Sequence, residues 1–313
     1  MNARGSVRAE VLGVSGDPAV AEVAVLRLGG RAEAVVEVVD GLTPPLGRED
    51  KWIVNLSTQF GCPVGCPTCD AGGGYHGDLD TQELLAQVDW ALGRHPGMAG
   101  RCRKLKVHFA RMGEPSLNPA VLACLRALPG RLQAPGLWAC VASVAPRGRE
   151  GWFEELRQLK ARLYPDRFQL QFSLQSTDPA ARARLIPLPC WSFEEIAAYG
   201  ARFHRPGERK LVLNFALARG VPFEPEALLA HFPPQHFLLK LTPINPTARG
   251  RQAGLETTLR GPAAESLAPA LARLQAAGFE VICSVGDGRE DRIGSNCGQA
   301  VRALGAQQAA APG

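Results

Sequence analysis

The stretch Ser57–Gly74, STQFGCPVGCPTCDAGGG, places three cysteines within eight positions and follows them with three consecutive glycines. Cys62, Cys66 and Cys69 come directly after WIVNLS, an apolar run that has the pattern of a buried strand. A structural zinc site normally takes four protein ligands in paired short spacings, and this segment supplies three. Three thiolates on one tight loop suit a [4Fe-4S] cluster whose fourth iron stays open for a bound molecule.

Two other interpretations of the cysteines stay open at this point. One is a zinc site that His76 or His108 completes, and the other is a set of buried cysteines without a chemical role. The glycines at 72–74 permit close backbone approach and positive φ angles beside the cysteines.

The composition is that of an ordinary globular protein, with 313 residues, 46% hydrophobic and 21% charged. No apolar run approaches the roughly 20 residues that a membrane span needs, and the first residues lack the apolar centre of a signal peptide. We therefore expect a cytoplasmic protein that has no membrane partner. In a reducing compartment, nine cysteines favour metal or redox chemistry over disulfides. The net charge of +5 permits nucleic-acid binding without indicating it.

The order of apolar runs predicts the fold. Residues 6–40 read as short alternating strands broken by turn sequences, which predicts a small antiparallel sheet. From Trp52 onward, apolar strand runs alternate with amphipathic helical stretches, a pattern typical of a parallel sheet. Six such units up to about Thr242 predict an α/β fold with an open, partial (β/α)6 barrel. Each candidate site follows a strand run, where parallel α/β folds gather their chemistry.

We divide the chain into three parts. Residues 1–50 are expected to form a small N-terminal β extension and a linker. Residues 51–304 are expected to form the partial barrel and a C-terminal cysteine loop. Residues 305–313 are expected to be a disordered tail.

Five motifs, in the correct order, carry a resemblance to one enzyme family. They are STQFGCPVGCPTC (57–69), RMGEPSLNP (111–119), FSLQS (172–176), TPINP (242–246) and CGQ (297–299). The chain resembles the RlmN/Cfr-type family of radical-SAM methylases over roughly residues 21–304. The resemblance implies a radical-SAM partial barrel that binds a [4Fe-4S] cluster and S-adenosylmethionine. That family adds a methyl group to an sp2 carbon of adenosine in RNA.

The resemblance also implies residue roles. The three cysteines of the opening loop are the expected cluster ligands. The segment after the second barrel strand is expected to help hold the amino group of S-adenosylmethionine, and two later segments are expected to contact the same cofactor. These implied contacts are Gly113, Glu114, Pro115, Ser173 and Asn245.

Two further residues fall on catalytic positions of the family. Cys297 aligns with the cysteine that one S-adenosylmethionine methylates. In the family, a radical made from a second S-adenosylmethionine then abstracts hydrogen from that S-methyl group, and the methylene radical adds to the substrate carbon to form a covalent adduct. The run LGGRAEAVVEV resembles the family's strand that carries a glutamate near the radical site, which places Glu33 there.

The chain departs from the family at the position that resolves the adduct. Seven residues before Cys62, where the family has a second cysteine, stands Asn55. An asparagine side chain forms neither a thiolate nor a disulfide. Another cysteine (Cys140, Cys190 or Cys283) or an external thiol could take over this step, or the adduct could fragment differently, or the reaction could differ from RNA methylation.

The leading hypothesis is transfer of a methyl or methylene group through Cys297 to an sp2 carbon of a small molecule, a peptide or RNA. The expected reductant is a protein such as flavodoxin or ferredoxin. About 20 residues precede the matching strand, so we expect no helical RNA-binding domain there, which favours a smaller substrate. One alternative is a radical-SAM enzyme whose 5′-deoxyadenosyl radical acts directly on the substrate. The non-enzymatic alternative is an inactive Fe-S or RNA-binding module.

Overall fold

A computed structural model of the chain describes residues 7–259, 265–285, 293 and 298–310, with 307–310 described as backbone only. Its centre is one continuous sheet of ten strands, beside a separate two-stranded ribbon made by β5 and β6. In chain order the strands are β1 (Ala9–Asp17), β2 (Ala21–Leu28), β3 (Val35–Gly41), β4 (Trp52–Leu56), β5 (Gln59–Phe60), β6 (Gly77–Asp78), β7 (Leu105–Phe109), β8 (Leu137–Ser143), β9 (Phe168–Ser173), β10 (Leu211–Leu217), β11 (Phe237–Pro243) and β12 (Val281–Cys283).

Strands β1 to β4 pair antiparallel, whereas β4 and the strands from β7 to β12 pair parallel. The parallel strands follow one another across the sheet in chain order, as in a barrel, and no pairing of β12 back to β4 is found among the described residues. The prediction of an α/β fold with a partial parallel barrel and N-terminal antiparallel strands is confirmed. Six strands match the predicted units, and β12 adds a short seventh.

Ten helices are found among the described residues, most of them between successive parallel strands. They are α1 (Thr81–Gly93), α2 (Met98–Arg101), α3 (Ala120–Leu132), α4 (Glu150–Leu163), α5 (Pro179–Leu185), α6 (Phe193–Phe203), α7 (Pro225–His231), α8 (Ala248–Gln252), α9 (Ala268–Ala276) and α10 (Gln299–Ala310). Capping boxes fix the beginnings of α1 and α6, since the Asp80 and Ser192 side chains each accept a hydrogen bond from the backbone three residues on.

Alternation along the parallel strands separates an apolar outer face from a polar inner face. In β9, Leu170 and Phe172 belong to the main hydrophobic core that the helices cover. The intervening Gln169 and Gln171 point to the opposite side, because successive strand side chains alternate. We call the space along this inner face the lumen of the barrel.

The N-terminal strands and the barrel share one sheet, because β3 pairs with β4. Val39 of β3 lies opposite Asn55 of β4, and Gly41 lies opposite Ile53. A domain boundary at residue 50 would divide this continuous sheet, and that boundary stays a prediction. Helix α10 continues to Ala310, so residues 305–310, which we expected in a disordered tail, are helical.

Candidate cluster and cofactor site

Seven of the predicted site residues line one cavity of about 300 Å³ at the carboxyl ends of the parallel strands. The cavity collects the cysteine loop after β4, the loop after β7, the end of β9 and the segment after β11. Its predicted members are Cys62, Cys66, Cys69, Gly113, Glu114, Ser173 and Asn245. Residues far apart in sequence meet here because parallel strands end at the same edge of the sheet.

The cysteines of the opening loop are free thiols, and burial favours the protonated form of Cys62 and of Cys66. Burial raises the pKa of Cys62 to about 12 and also raises the pKa of Cys66 above its ordinary value. A bound metal centre reverses this preference, because thiolate ligation releases the proton and compensates the buried charge. The loop therefore suits three metal-thiolate bonds.

The two histidines considered as zinc ligands lie outside the cavity. The ring nitrogens of His76 contact the backbone carbonyls of Gly74 and Glu33. His108 lies on β7, between buried Val107 and Phe109, and faces the lumen. Among the described residues, no group of three or more His, Cys, Asp or Glu side chains is arranged so that it could hold one metal ion. In a [4Fe-4S] cluster each cysteine binds a different iron.

The loop after β7 packs tightly against the approach to the cysteines. Gly113 has φ +103°, and a Cβ there would lie 2.5 Å from Thr58 Oγ1 and 2.7 Å from Gln59 Cβ. The side chain of Gln59 accepts the Glu114 N–H (2.8 Å) and donates to Asp78 (2.7 Å). A glycine is therefore required at 113, and Gln59 joins the two loops. Pro115 opens the short 3-10 helix Pro115–Leu117 and is buried beside the cavity without lining it.

The carboxylate of Glu114 is buried and held by four donors. Oε1 accepts the Ser116 N–H (3.0 Å), the Ser116 hydroxyl (2.7 Å) and the Ser143 hydroxyl (2.6 Å), and Oε2 accepts the Val144 N–H (2.9 Å). Burial raises the pKa of Glu114, and these hydrogen bonds oppose the rise. Because these four hydrogen bonds fix the side chain, it presents a preorganised acceptor to the cavity.

The cysteine loop is tied to the segment that follows β11. The Asp70 carboxylate accepts the N–H groups of Ala248 (3.1 Å) and Arg249 (2.9 Å) at the start of α8. The Arg249 guanidinium donates to the carbonyls of Gly72 (3.0 Å) and Gly65 (3.1 Å). Sequence reasoning missed Arg249, which follows the TPINP motif without a distinguishing signal of its own.

We expect Arg249→Leu to weaken retention of the metal centre, because two carbonyls of the cysteine loop lose their donor. Iron and sulfide per chain, measured after anaerobic reconstitution and gel filtration, should fall well below the wild-type content. Arg251→Leu is the matched control, since Arg251 is exposed and bonds to Pro246 outside the loop. Equal iron content in the Arg249 variant and in wild type would contradict this role.

The structure corrects the position of the glutamate on β3. Glu33 is exposed in the turn before the strand and does not line the cavity. Glu37, four residues later, is 0% exposed and forms an ion pair with Arg111, which does line the cavity. A carboxylate within the apolar run VVEVV was the available signal, because a buried charge normally serves a partner. The loose alignment of a longer loop obscured it.

Glu37 also holds the beginning of the C-terminal helix. Its carboxylate accepts the N–H groups of Gly298 (2.9 Å) and Val301 (3.0 Å), so a side chain of β3 caps the beginning of α10. Gly298 has φ +85°, and a Cβ there would lie 2.1 Å from the Ala71 nitrogen. The residue after Cys297 is thus packed against the cysteine loop. Cys297 itself lies outside the described residues.

We expect Glu37→Leu to lower the free energy of unfolding by about 3–5 kcal/mol, because it removes the buried carboxylate that forms an ion pair with Arg111 and accepts two N–H groups at the start of α10. Chemical denaturation monitored by circular dichroism measures this loss. Glu10→Leu on β1 removes the same charge from an exposed ion pair with Arg27 and should cost about 1 kcal/mol or less. Similar losses in the two variants would refute the argument.

The position of the family's second cysteine lies on β4, on the same face of the sheet as Cys140. Asn55 on β4 pairs in register with His108, which in turn pairs with Cys140 on β8. Cys140 is fully buried, Cys190 is half-buried with Sγ 3.2 Å from the Leu188 carbonyl, and Cys283 is exposed at the end of β12. Because Cys297 lies outside the described residues, the choice among these thiols stays open.

Comparisons with known proteins bear on the identity of this site. No family model matches the chain. A probable dual-specificity RNA methyltransferase RlmN of Parafrankia sp. is 32% identical over 79% of this chain and 64% of its own length. A probable RlmN 1 of Opitutus terrae is 29% identical over 86% of this chain and 76% of its own length. The crystal structure of a radical SAM methyltransferase from Sphaerobacter thermophilus superposes with a TM-score of 0.72 at 22% identity, covering 93% of this chain and 80% of that one.

A partial parallel barrel with a three-thiol loop after its first parallel strand is the arrangement expected of the radical-SAM superfamily, and the superposition shows the same fold. Within that superfamily, the curated relatives point to the RlmN/Cfr-type family, which the chain resembles. The chain spans 64% and 59% of the length of the first two relatives. No helix among the described residues has the length and apolar character to cross a membrane.

Proposed function

We propose that this protein is a radical-SAM methyltransferase that carries a methyl group on Cys297 and transfers it to an sp2 carbon of its substrate. The observation that supports this most directly is the shared cavity. It joins the three cysteines to Glu114, Ser173 and Asn245, while Gly298 packs against the same cysteine loop. The residue next to Cys297 thus lies beside the groups that the chemistry needs.

The residues present fit a cluster and S-adenosylmethionine. Cys62, Cys66 and Cys69 would hold three irons of a [4Fe-4S] cluster, because their thiols are partly buried, line one cavity and form no disulfide. Glu114 offers an anionic acceptor for an amino group, and the buried Asn214 Oδ1 at the cavity wall has no hydrogen-bond partner. When bound together, the cluster and S-adenosylmethionine supply a strongly oxidising carbon radical and a methyl group.

The chain's own residues orient these groups and the methyl carrier. Glu37 and Gly298 fix the start of α10, and thereby the backbone that follows Cys297. The Glu114 side chain stays in one orientation because four donors hold it. Gln175, with φ +66°, also lines the cavity, and its side chain accepts the Ala216 N–H (2.9 Å).

RNA is the substrate class that the relatives support, since they are named as probable RNA methyltransferases. A cytoplasmic location and reduction by flavodoxin or ferredoxin belong to the same proposal. Asn55 at the resolving position favours a second candidate, in which the radical acts directly on the substrate and Cys297 carries no methyl group.

Mass spectrometry of the anaerobically purified protein separates these two candidates. After incubation with S-adenosylmethionine and reductant, the peptide that contains Cys297 should gain the mass of one methyl group. The peptide that contains Cys283, an exposed thiol, is the internal control and should remain unmodified. A Cys297 thiol that stays unmodified through turnover would favour the second candidate. Absence of S-adenosylmethionine cleavage in fully reconstituted protein would refute both and favour an inactive module.

A further inference from the structure

The lumen beneath the cluster cavity is polar and basic. On β7, Lys106 and His108 face inward between the buried outer residues Leu105, Val107 and Phe109. On β9, Gln169 and Gln171 face the same space. A barrel interior is ordinarily filled with branched apolar side chains, so this composition requires an explanation.

Basic side chains gather where the parallel strands begin. Lys51 directly precedes β4, Lys104 directly precedes β7, and Arg209 lies two residues before β10. With Lys106 they form what we call the basic mouth of the barrel. Within the described part of the chain, none of these four cations forms an ion pair with a carboxylate. Positive charge is therefore concentrated there without local compensation.

The cations of the basic mouth contact neutral partners. Lys106 Nζ donates to Gln169 Oε1 (3.0 Å), and Lys104 Nζ lies 3.9 Å from the centre of the Trp138 ring. Arg209 Nε is buried and has no hydrogen-bond partner. Burial lowers the pKa of Lys51 and of Lys104, and the nearby Lys106 and Arg209 lower both further. These groups repel one another, so an anion placed among them would be stabilised.

Unpartnered amide oxygens lie between the basic mouth and the cluster cavity. Gln171 is 8% exposed and Asn214 is 7% exposed, and neither Gln171 Oε1 nor Asn214 Oδ1 has a hydrogen-bond partner. Asn214 also lines the cluster cavity, so the two spaces adjoin at this residue. Buried acceptors without donors are unusual in a folded protein and indicate a ligand or water that supplies them.

We propose that the lumen binds a small phosphorylated molecule, with its phosphate in the basic mouth and its hydrogen-bond donors on the Gln171 and Asn214 amide oxygens. A doubly charged phosphate suits several cations that have no carboxylate partner. Identifying this molecule as the methyl acceptor, in place of the RNA that the relatives' names suggest, rests on the proposed group transfer through Cys297, whereas the binding site itself does not. An acceptor bound in this way extends from the basic mouth toward the cavity that contains the cysteines.

Isothermal titration of the reconstituted full-length chain, without S-adenosylmethionine, tests the site with inorganic diphosphate and with adenosine 5′-monophosphate. We expect saturable binding of one ligand per chain at low salt. Lys106→Gln and Arg209→Gln should each weaken binding at least about tenfold, because each removes a charged hydrogen-bond donor. Arg162→Gln, which removes a charge from the exposed face of α4, should leave the affinity unchanged. Circular dichroism establishes that each variant is folded, and Lys104→Gln provides a further variant if one is not.

Several results would overturn the proposal. These are no saturable binding of either probe, equal weakening in the Arg162 control, or binding of adenosine as tight as that of its monophosphate. Single-stranded RNA that displaces diphosphate and binds more tightly would assign the basic mouth to nucleic acid instead. Because the titration needs no S-adenosylmethionine, its failure would leave the Cys297 methylation result intact, and the reverse also holds.

Discussion

Replacing any one of Cys62, Cys66 or Cys69 by alanine should abolish the brown iron-sulfur absorbance of the reconstituted protein. Each cysteine is the expected ligand of a different iron, so the two that remain cannot hold the cluster in the same form. The half-buried Cys190 does not replace them readily, since its Sγ contacts the Leu188 carbonyl, outside the cysteine loop. Visible absorbance, together with iron and sulfide content per chain, measures the loss.

The matched control for this series is Cys283→Ala, which removes an exposed thiol at the end of β12. It should retain the full wild-type absorbance. A thermal unfolding curve of each metal-free variant shows whether the variant is still folded. If it is, loss of the cluster is due to loss of the ligand. Retention of a complete cluster in any one variant of the triad would remove the basis of the proposed radical chemistry. Stoichiometric zinc without iron in the wild-type protein would have the same consequence.

Cys297→Ala should end group transfer and leave cleavage of S-adenosylmethionine measurable. The cysteines, Glu114 and Asn245 line the cavity, and they are the expected contacts of the cluster and the cofactor. The alanine variant lacks the sulfur that accepts the methyl group, so the covalent route is closed at its first step. Formation of 5′-deoxyadenosine and transfer of labelled methyl groups to the substrate measure the two activities separately.

The control for this second prediction is Cys102→Ala, which removes a buried thiol that follows α2 and is not a candidate for resolving the adduct, so it should keep both activities. Undiminished transfer by the Cys297 variant would exclude the methyl-carrier role. Loss of both activities, with a normal cluster content, would mean that position 297 helps to bind the cofactor.

Much of the fold follows from periodicity in the sequence. The alternation of strand runs with amphipathic helices predicted six parallel units from Trp52 to about Thr242, and β4 with β7 to β11 matches them. Local patterns determine these elements because a strand or a helix needs only its own apolar face to be recognised. The prediction was less accurate at the end of the chain, where α10 extends through residues that we expected to be disordered.

Part of the candidate site could also be predicted from local patterns in the sequence. The cysteine spacing is a local feature, and the motifs at Gly113, Glu114, Ser173 and Asn245 follow strand runs, so the common edge of a parallel sheet was enough to predict their proximity. The sequence-based prediction did not identify Glu37. The sequence offered two glutamates on one strand, and the alignment favoured Glu33. The structure places Glu33 in the exposed turn before β3 and Glu37 on the strand itself, buried beside Arg111.

By itself, the sequence determined the parallel α/β class, the three-thiol loop and the order of the motifs, because these depend on spacing along the chain. The tertiary structure decided that Glu37 caps α10, that Arg249 holds the cysteine loop and that unpaired cations line the beginning of the barrel. Those contacts join residues up to 264 positions apart, as Val301 and Glu37 are. No local pattern encodes such pairs, since they arise only when packing of the sheet and helices brings distant segments together.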